Sequence, residues 1–496
     1  MNKKISDLLF KNKVVILFVF LGVGATIASK QPLTFVIPEL FTRIARNSFI
    51  VLSLIIPVIA GMGLNFGIVI GAMAAQIAIF LTTYWGLTGI GGFLATVALA
   101  TPFSVFFGFL VGKLFNHMKG NEMIGGLVLG YFAEGIYQLV FLFIFGGVIK
   151  LDNPTLMIPT GIGVKNTIDL KDTVKYALDT VPMLTIVEIG FYLVLLWLVG
   201  SVAFQLVKKQ TVNWKATGIK AAAAVVVYGL TFIGPVERFL AADRLLLLSS
   251  VELACLVTVL WQGFHFVKWK IKGSHQAVEG EPGGFIPQKA IAYVLLAGVV
   301  YGLTYVPALY KVLIAVKLPV MTYVCIGALC AFNNILMRTR LGQNMRTVGQ
   351  SRTVANAAGI NVDKTRIIAM IFSTVLASWG QLIFLQNVGT LSTYGAHTQV
   401  GQFAIAALLV GGASVQKATN KQALLGVVLF HTLFIVSPLA GKELFGDPVI
   451  GEYFRVFVSY GVIAMALAMH AWKKVVSPRM GSIGSAGAVA SASKAG

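Results

Sequence analysis

The chain is expected to be an all-α polytopic membrane protein with about fourteen transmembrane segments, and three observations carry that expectation. Of its 496 residues, 57% are hydrophobic and only 11% charged, whereas soluble domains carry about 25% charged residues. Apolar runs of spanning or near-spanning length recur along the whole chain. The net charge of +21 is collected in short loops between those runs, the distribution that orients a protein in a bilayer. A nucleic-acid surface would instead gather its cations with aromatic residues on one face. The expected surroundings are therefore a lipid bilayer and no nucleic acid.

In order, the apolar segments are Val14–Ser29, Ser48–Met62, Asn65–Trp85, Ile90–Gly112, Met123–Ile149, Met183–Val207, Ile219–Gly234, Leu245–Val267, Ala290–Ala315, Pro319–Met337, Ile367–Val388, Gln402–Val415, Gln422–Leu439 and Tyr453–Trp472. Those near 48–62 and 402–415 fall short of the ~20 residues a span needs, so they read as broken or tilted helices. The basic stretch before Val14 precedes no small-x-small cleavage site, and the first run reads as a membrane helix. With the N-terminus inside, 26 of the 39 Lys and Arg fall in cytoplasmic stretches, so both termini are expected in the cytoplasm. Cys255, Cys325 and Cys330 all lie in apolar segments, with neither a disulfide framework nor a zinc spacing.

The longest polar interruption of the second half is 338–366, with Arg338, Arg340, Arg346, Arg352, Lys364 and Arg366 against Asp363. Ser351 is suited to cap a short helix through Ala358, Gly359 to close it in the left-handed conformation, and Asn361 or Asp363 to start the next helix. The middle, Val354 to Ala358, is small-sided, so a partner's surface can approach its backbone. No phosphate-binding Gly-Lys-Ser/Thr loop, zinc-protease helix or serine elbow occurs. The chain is therefore not expected to be an enzyme.

Arg346-Thr347-Val348-Gly349, followed by Ala355 and Ala357-Ala358-Gly359-Ile360, resembles the cytoplasmic coupling loop of the ABC importer permeases that serve simple sugars, nucleosides and branched-chain amino acids. Ser351 stands where that family usually has Asn, and Val354 replaces an Ala. The resemblance implies that Arg346, Gly349, Ser351, Ala355, Ala357, Ala358, Gly359 and Ile360 couple to an ATPase. Gly61 to Ala72 is similar to the family's helix-break motif, with Gly63, Gly67 and Gly71 as a small-residue ridge. Gly63, Asn65 and Gly67, with Glu134, Gln381, Gln386 and Asn387, are the candidate substrate path; an acid such as Glu134 inside an apolar segment is a functional candidate because burying it is costly. Gly401 to Ser414 resembles a further family motif in which Gly411, Gly412 and Ser414 pack helices.

The resemblance covers roughly Ser48–Val148 and Pro319–Trp472. It implies a type II-like importer fold: an N-terminal half of the core over 1–150, an extracytoplasmic loop over 151–182, an inserted four-helix module over 183–318, a C-terminal half over 319–479 that includes the coupling loop, and a flexible tail over 480–496. Removing an even number of helices leaves two five-helix halves of opposite orientation, as an inverted repeat requires. In the outer loop, Val174, Ala177, Leu178 and Val181 at helical spacing suggest an amphipathic piece that lies on the membrane or meets a binding protein.

The implied function is a permease subunit that moves a small polar solute, a simple sugar or nucleoside, across the bacterial cytoplasmic membrane by alternating access. Its implied partners are ABC ATPase subunits, a second permease copy or paralogue, and an extracytoplasmic substrate-binding protein or lipoprotein. The chain itself needs no cofactor or metal, and ATP and Mg belong to the ATPase. The alternatives are a permease for branched-chain amino acids, or an ion-coupled secondary transporter, for which Glu134 is the candidate coupling group.

Overall fold

In hydrocarbon a backbone must satisfy its own hydrogen bonds, which helices do and open strands do not. The computed structural model describes residues 13–118, 120–151, 153–159, 162–208, 214–232, 234–271, 287–465 and 468, and they are overwhelmingly helical. The basic residues before Lys13, most of the loop Lys268–Lys289 and the 480–496 tail lie outside them.

Each of the fourteen apolar segments contains a helix. Among the described residues, seven helices are long and apolar enough to cross a membrane, and nine if each of two bent pairs is one span. Val14–Ala28, Ile68–Tyr84, Thr217–Val226 and Ala396–Val410 are shorter apolar helices. The chain is an all-α polytopic membrane protein.

Three elements differ from the pattern read off hydropathy. The second helix begins at Leu33 rather than Ser48; Glu39, Arg43 and Arg46 interrupt the apolar run there, and Arg46 is satisfied internally, its Nε donating to Asn387 Oδ1 at 2.9 Å. The segment 290–315 is two helices, Pro287–Leu303 and Pro307–Ala315, bent by 89°. Pro307, which starts the second, lacks the N–H that continuation would need. Residues 171–180 form successive turns instead of an amphipathic helix, because Tyr176 adopts φ +56° and its N–H is taken by the Gln386 carbonyl at 2.9 Å. The apolar Val174, Ala177 and Leu178 are consequently buried in protein.

Contacts divide the chain into two compact units. The first comprises Met1–Gln31, Arg43–Leu178 and Val324–Gly496. Its centre is the helix Val362–Val388, which packs on Gly89–His117 and Ile68–Tyr84. Small residues permit that approach: a Cβ at Gly108 would lie 2.8 Å from Ile371 Cα, one at Gly112 2.9 Å from Ile367 Cα, and one at Gly71 2.7 Å from the Thr374 carbonyl. Beyond the helix end, Thr167–Asp169 pairs antiparallel with Thr390–Ser392, Ile168 opposite Leu391. The second unit comprises Pro32–Thr42 and Asp179–Tyr323. Within it Met183–Val207 packs on Trp214–Leu230 and Leu247–Ile271 on Pro287–Leu303. Buried Asp179 accepts from Thr322 Oγ1 at 2.6 Å.

Candidate functional site

The basic loop folds into two short helices, the first of which bends away from the membrane helix Val320–Leu336 by 75°. The first, Arg340–Gln350, is capped by Thr339, whose hydroxyl accepts from Gly342 N at 3.2 Å. It buries Gly342, Met345 and Val348 and leaves Arg346 exposed. Ser351 caps the second, Arg352–Ala357, through a 3.3 Å bond from Val354 N. Gly359 closes it at φ +76°, a conformation that costs a residue with a Cβ about 1–2 kcal/mol. Asn361, not Asp363, caps the following helix, accepting from Lys364 N at 2.9 Å.

The residues singled out for ATPase coupling therefore divide by position. Ala355 is 0% exposed and joins Val348, Val362 and half-buried Ile360 in a small apolar core that holds the elbow together. Gly349 faces the helix break of the first half: a Cβ there would stand 2.0 Å from the Ile59 carbonyl oxygen. Ala357, Ala358 and Gly359 are exposed, beside Val354 at 61% exposure. Ala355 and Gly349 thus set the shape of the elbow, and the outward face belongs to the other three with Val354 and Arg346.

One group of residues escaped the sequence reading. The Glu122 carboxylate receives Arg352, from the elbow, and Arg366, whose Nη2 lies 2.6 Å from Glu122 Oε1. Arg366 is 0% exposed and also donates to the Phe115 carbonyl at 3.3 Å. Asn116 Nδ2 adds a bond to the Asp363 carbonyl at 3.0 Å. In the sequence these cations count only toward orientation; the available signal was an acid at the head of one apolar run and an arginine at the head of another.

The candidate substrate-path residues do not converge on one point. Residues 60–67 are turns rather than helix, with Gly61 and Gly63 both at φ +73°. This break places wholly buried Asn65 so that Nδ2 donates to Ser373 Oγ at 3.2 Å. Gly67 lies against it: a Cβ there would be 3.0 Å from Asn65 Oδ1. Gln381, Gln386 and Asn387 are buried farther along the same helix as Ser373. Over fourteen residues at 1.5 Å each, Ser373 and Asn387 are roughly 21 Å apart in depth, a line of polar groups rather than a pocket. Glu134 stands apart, accepting from Gln138 Nε2 at 3.3 Å, in a cleft with Thr398, Gly401 and Gln402.

The packing glycines occupy close crossings. A Cβ at Gly411 would lie 1.9 Å from the Gln422 carbonyl oxygen, and one at Gly426 1.9 Å from that of Ala407. Gly412 turns the chain at φ +84°, and Ser414 Oγ accepts from Lys417 N at 3.1 Å to close the connection.

The family profile described as "Branched-chain amino acid transport system / permease component" matches residues 196–467, more than half of the chain. The chain is also similar to the xylose transport system permease protein XylH of Haemophilus influenzae, 28% identical over 176 residues, which is 35% of this chain and 44% of that protein. The match thus spans less than half the length of this curated relative. No solved structure matches the chain.

Proposed function

Because the chain belongs to the branched-chain amino acid transport system permease family, we propose that it is the membrane subunit of an ATP-binding cassette importer that carries a sugar or nucleoside into a bacterial cell. The observation that carries this reading is the elbow at 340–361. It presents Val354, Ala357 and Ala358 outward on a capped helix while Arg352, in the same helix, is paired to Glu122. A push on the exposed face is thereby delivered to the heads of two membrane helices, which is what a two-state transporter driven from outside requires. ATP and Mg are bound by separate ATPase subunits, and a second permease copy or paralogue and an extracytoplasmic binding protein or lipoprotein complete the assembly.

The xylose permease named above supports a sugar, and the amide and hydroxyl groups of Asn65, Ser373, Gln381 and Gln386 fit a hydroxylated solute. In this reading the membrane is the cytoplasmic one, the elbow and both termini are cytoplasmic, and 183–318 is an accessory module outside the path. The test is co-purification of an ATP-hydrolysing subunit with the tagged chain, followed by ATP hydrolysis in proteoliposomes with D-xylose, D-ribose, uridine and leucine, each with its binding protein. Stimulation by leucine alone reassigns the substrate class. Uptake driven by an ion gradient with no ATPase subunit bound overturns the importer reading.

A further inference from the structure

A group of buried polar atoms without partners among the described residues lies beside Glu134, on residues that carry no motif. Gln76, midway along Ile68–Tyr84, and His397, at the start of Ala396–Val410, are both wholly buried. His397 Nδ1 and Gln76 Oε1 are 2.9 Å apart. An amide oxygen only accepts, so Nδ1 carries the proton and Nε2 of the neutral ring is an acceptor. That Nε2 and the Gln76 side-chain amide nitrogen have no partner among the described residues. Tyr137, its ring centroid 5.1 Å from that of His397, is buried with an equally unpartnered hydroxyl. Thr398 Oγ1 is a fourth such atom, in the cleft that also holds Glu134 and Gln402.

Each unpartnered polar atom costs about 1–3 kcal/mol when kept from water. A polar solute admitted between these helices would supply partners to all four. The helices that bring them together come from both sides of the coupling loop in sequence, and in the importer reading above they belong to the two halves of the core, between which a solute site is expected. We propose that Gln76, His397, Tyr137 and Thr398 are the closed form of a solute-recognition station for a small ring bearing vicinal hydroxyls, either a free pentose or the ribose of a nucleoside. The donor and acceptor set suits such a ring: an imidazole acceptor, an amide donor and two hydroxyls that do both. An amino acid would require a cation for its carboxylate as well as an anion for its ammonium group; Glu134 in the adjoining cleft offers only the anion, and none of the four offers the cation. The inference rests on the importer reading above and deepens it.

The test uses the full chain with Cys255, Cys325 and Cys330 replaced by Ser and a single cysteine introduced as Thr398→Cys, His397→Cys or, as a buried apolar control, Ala407→Cys. Reaction with the thiol reagent MTSET is followed in proteoliposomes, for the chain alone and with its ATPase, with and without ATP and vanadate. Thr398→Cys and His397→Cys are expected to react at least roughly tenfold faster than Ala407→Cys in one state, and a solute is expected to slow that reaction. Protection by D-xylose or D-ribose assigns the site to free sugars; protection by uridine alone assigns it to nucleosides. Rates equal to the control in every state overturn the proposal, because the cluster is then sealed core. Fast labelling that none of the three solutes slows also overturns it, because the site is then wet but not selective. If no ATPase subunit associates, the importer reading fails, while labelling and protection of the chain alone still decide this one.

Discussion

Arg366 and Glu122, 244 residues apart in sequence, meet at 2.6 Å with the arginine wholly buried. The carboxylate oxygen that receives Arg366 also receives Arg352 from the elbow helix. One carboxylate therefore ties the helix Glu122–Leu139, the elbow and the central helix Val362–Val388 together. Desolvating three charged groups is costly, and the arrangement holds only while each has a partner.

Glu122→Gln leaves Arg366 buried against a neutral group, and removing one partner of a buried pair costs about 3–5 kcal/mol. The Tm of the detergent-purified chain should fall clearly. Arg352→Gln, at a side chain 30% exposed, should cost less, because Arg366 still neutralises Glu122 and solvent partly screens the Arg352 charge. Equal losses from the two variants would contradict the central position of Arg366.

Gly349→Ala and Gly359→Ala separate close approach from backbone conformation. The first places a Cβ 2.0 Å from the Ile59 carbonyl oxygen, whereas the second meets nothing within 4 Å and suffers only from φ +76°. Gly359→Ala should cost about 1–2 kcal/mol. Gly349→Ala should lower the Tm further and reduce solute-stimulated ATP hydrolysis, because the backbone at Ile59 cannot yield without moving the helix break.

Ala357→Trp should leave the Tm nearly unchanged and abolish recovery of the ATPase subunit in a pull-down, since Ala357 is exposed on the elbow. Ala355→Trp should instead destabilise the chain, because its site is 0% exposed among Val348 and Val362; overpacking of this kind costs about 1–3 kcal/mol or more. Normal ATPase recovery and activity with Ala357→Trp would reduce the elbow to a linker.

Thr353→Cys, on the exposed face of the elbow, reports orientation. In the cysteine-free background an impermeant maleimide should label it in everted vesicles and leave it unlabelled in intact cells. Labelling of intact cells would invert the topology read from the basic loops.

The sequence by itself determined the class of the molecule, the approximate place of its helices and the local form of the elbow. These depend on nearest neighbours: apolar length sets a span, Ser351 and Asn361 each cap the helix beginning one residue later, and Gly359 needs only its own missing Cβ. It also marked Asn65, whose break is built by adjacent glycines. What only the tertiary structure decided is which residues meet across hundreds of positions. Ala355 and Ala357 look alike in sequence, yet one is sealed in the elbow and the other faces out. Arg46 breaks an apolar run but is met by Asn387; Glu122 and Arg366 are ordinary loop charges until folding removes them from water. Gln76 and His397 carry no motif, and their shared hydrogen bond and unpartnered atoms arise only because two distant helices pack side by side. A partner at that separation is fixed by packing, not by spacing along the chain, and it is there that the cost of buried polarity is met.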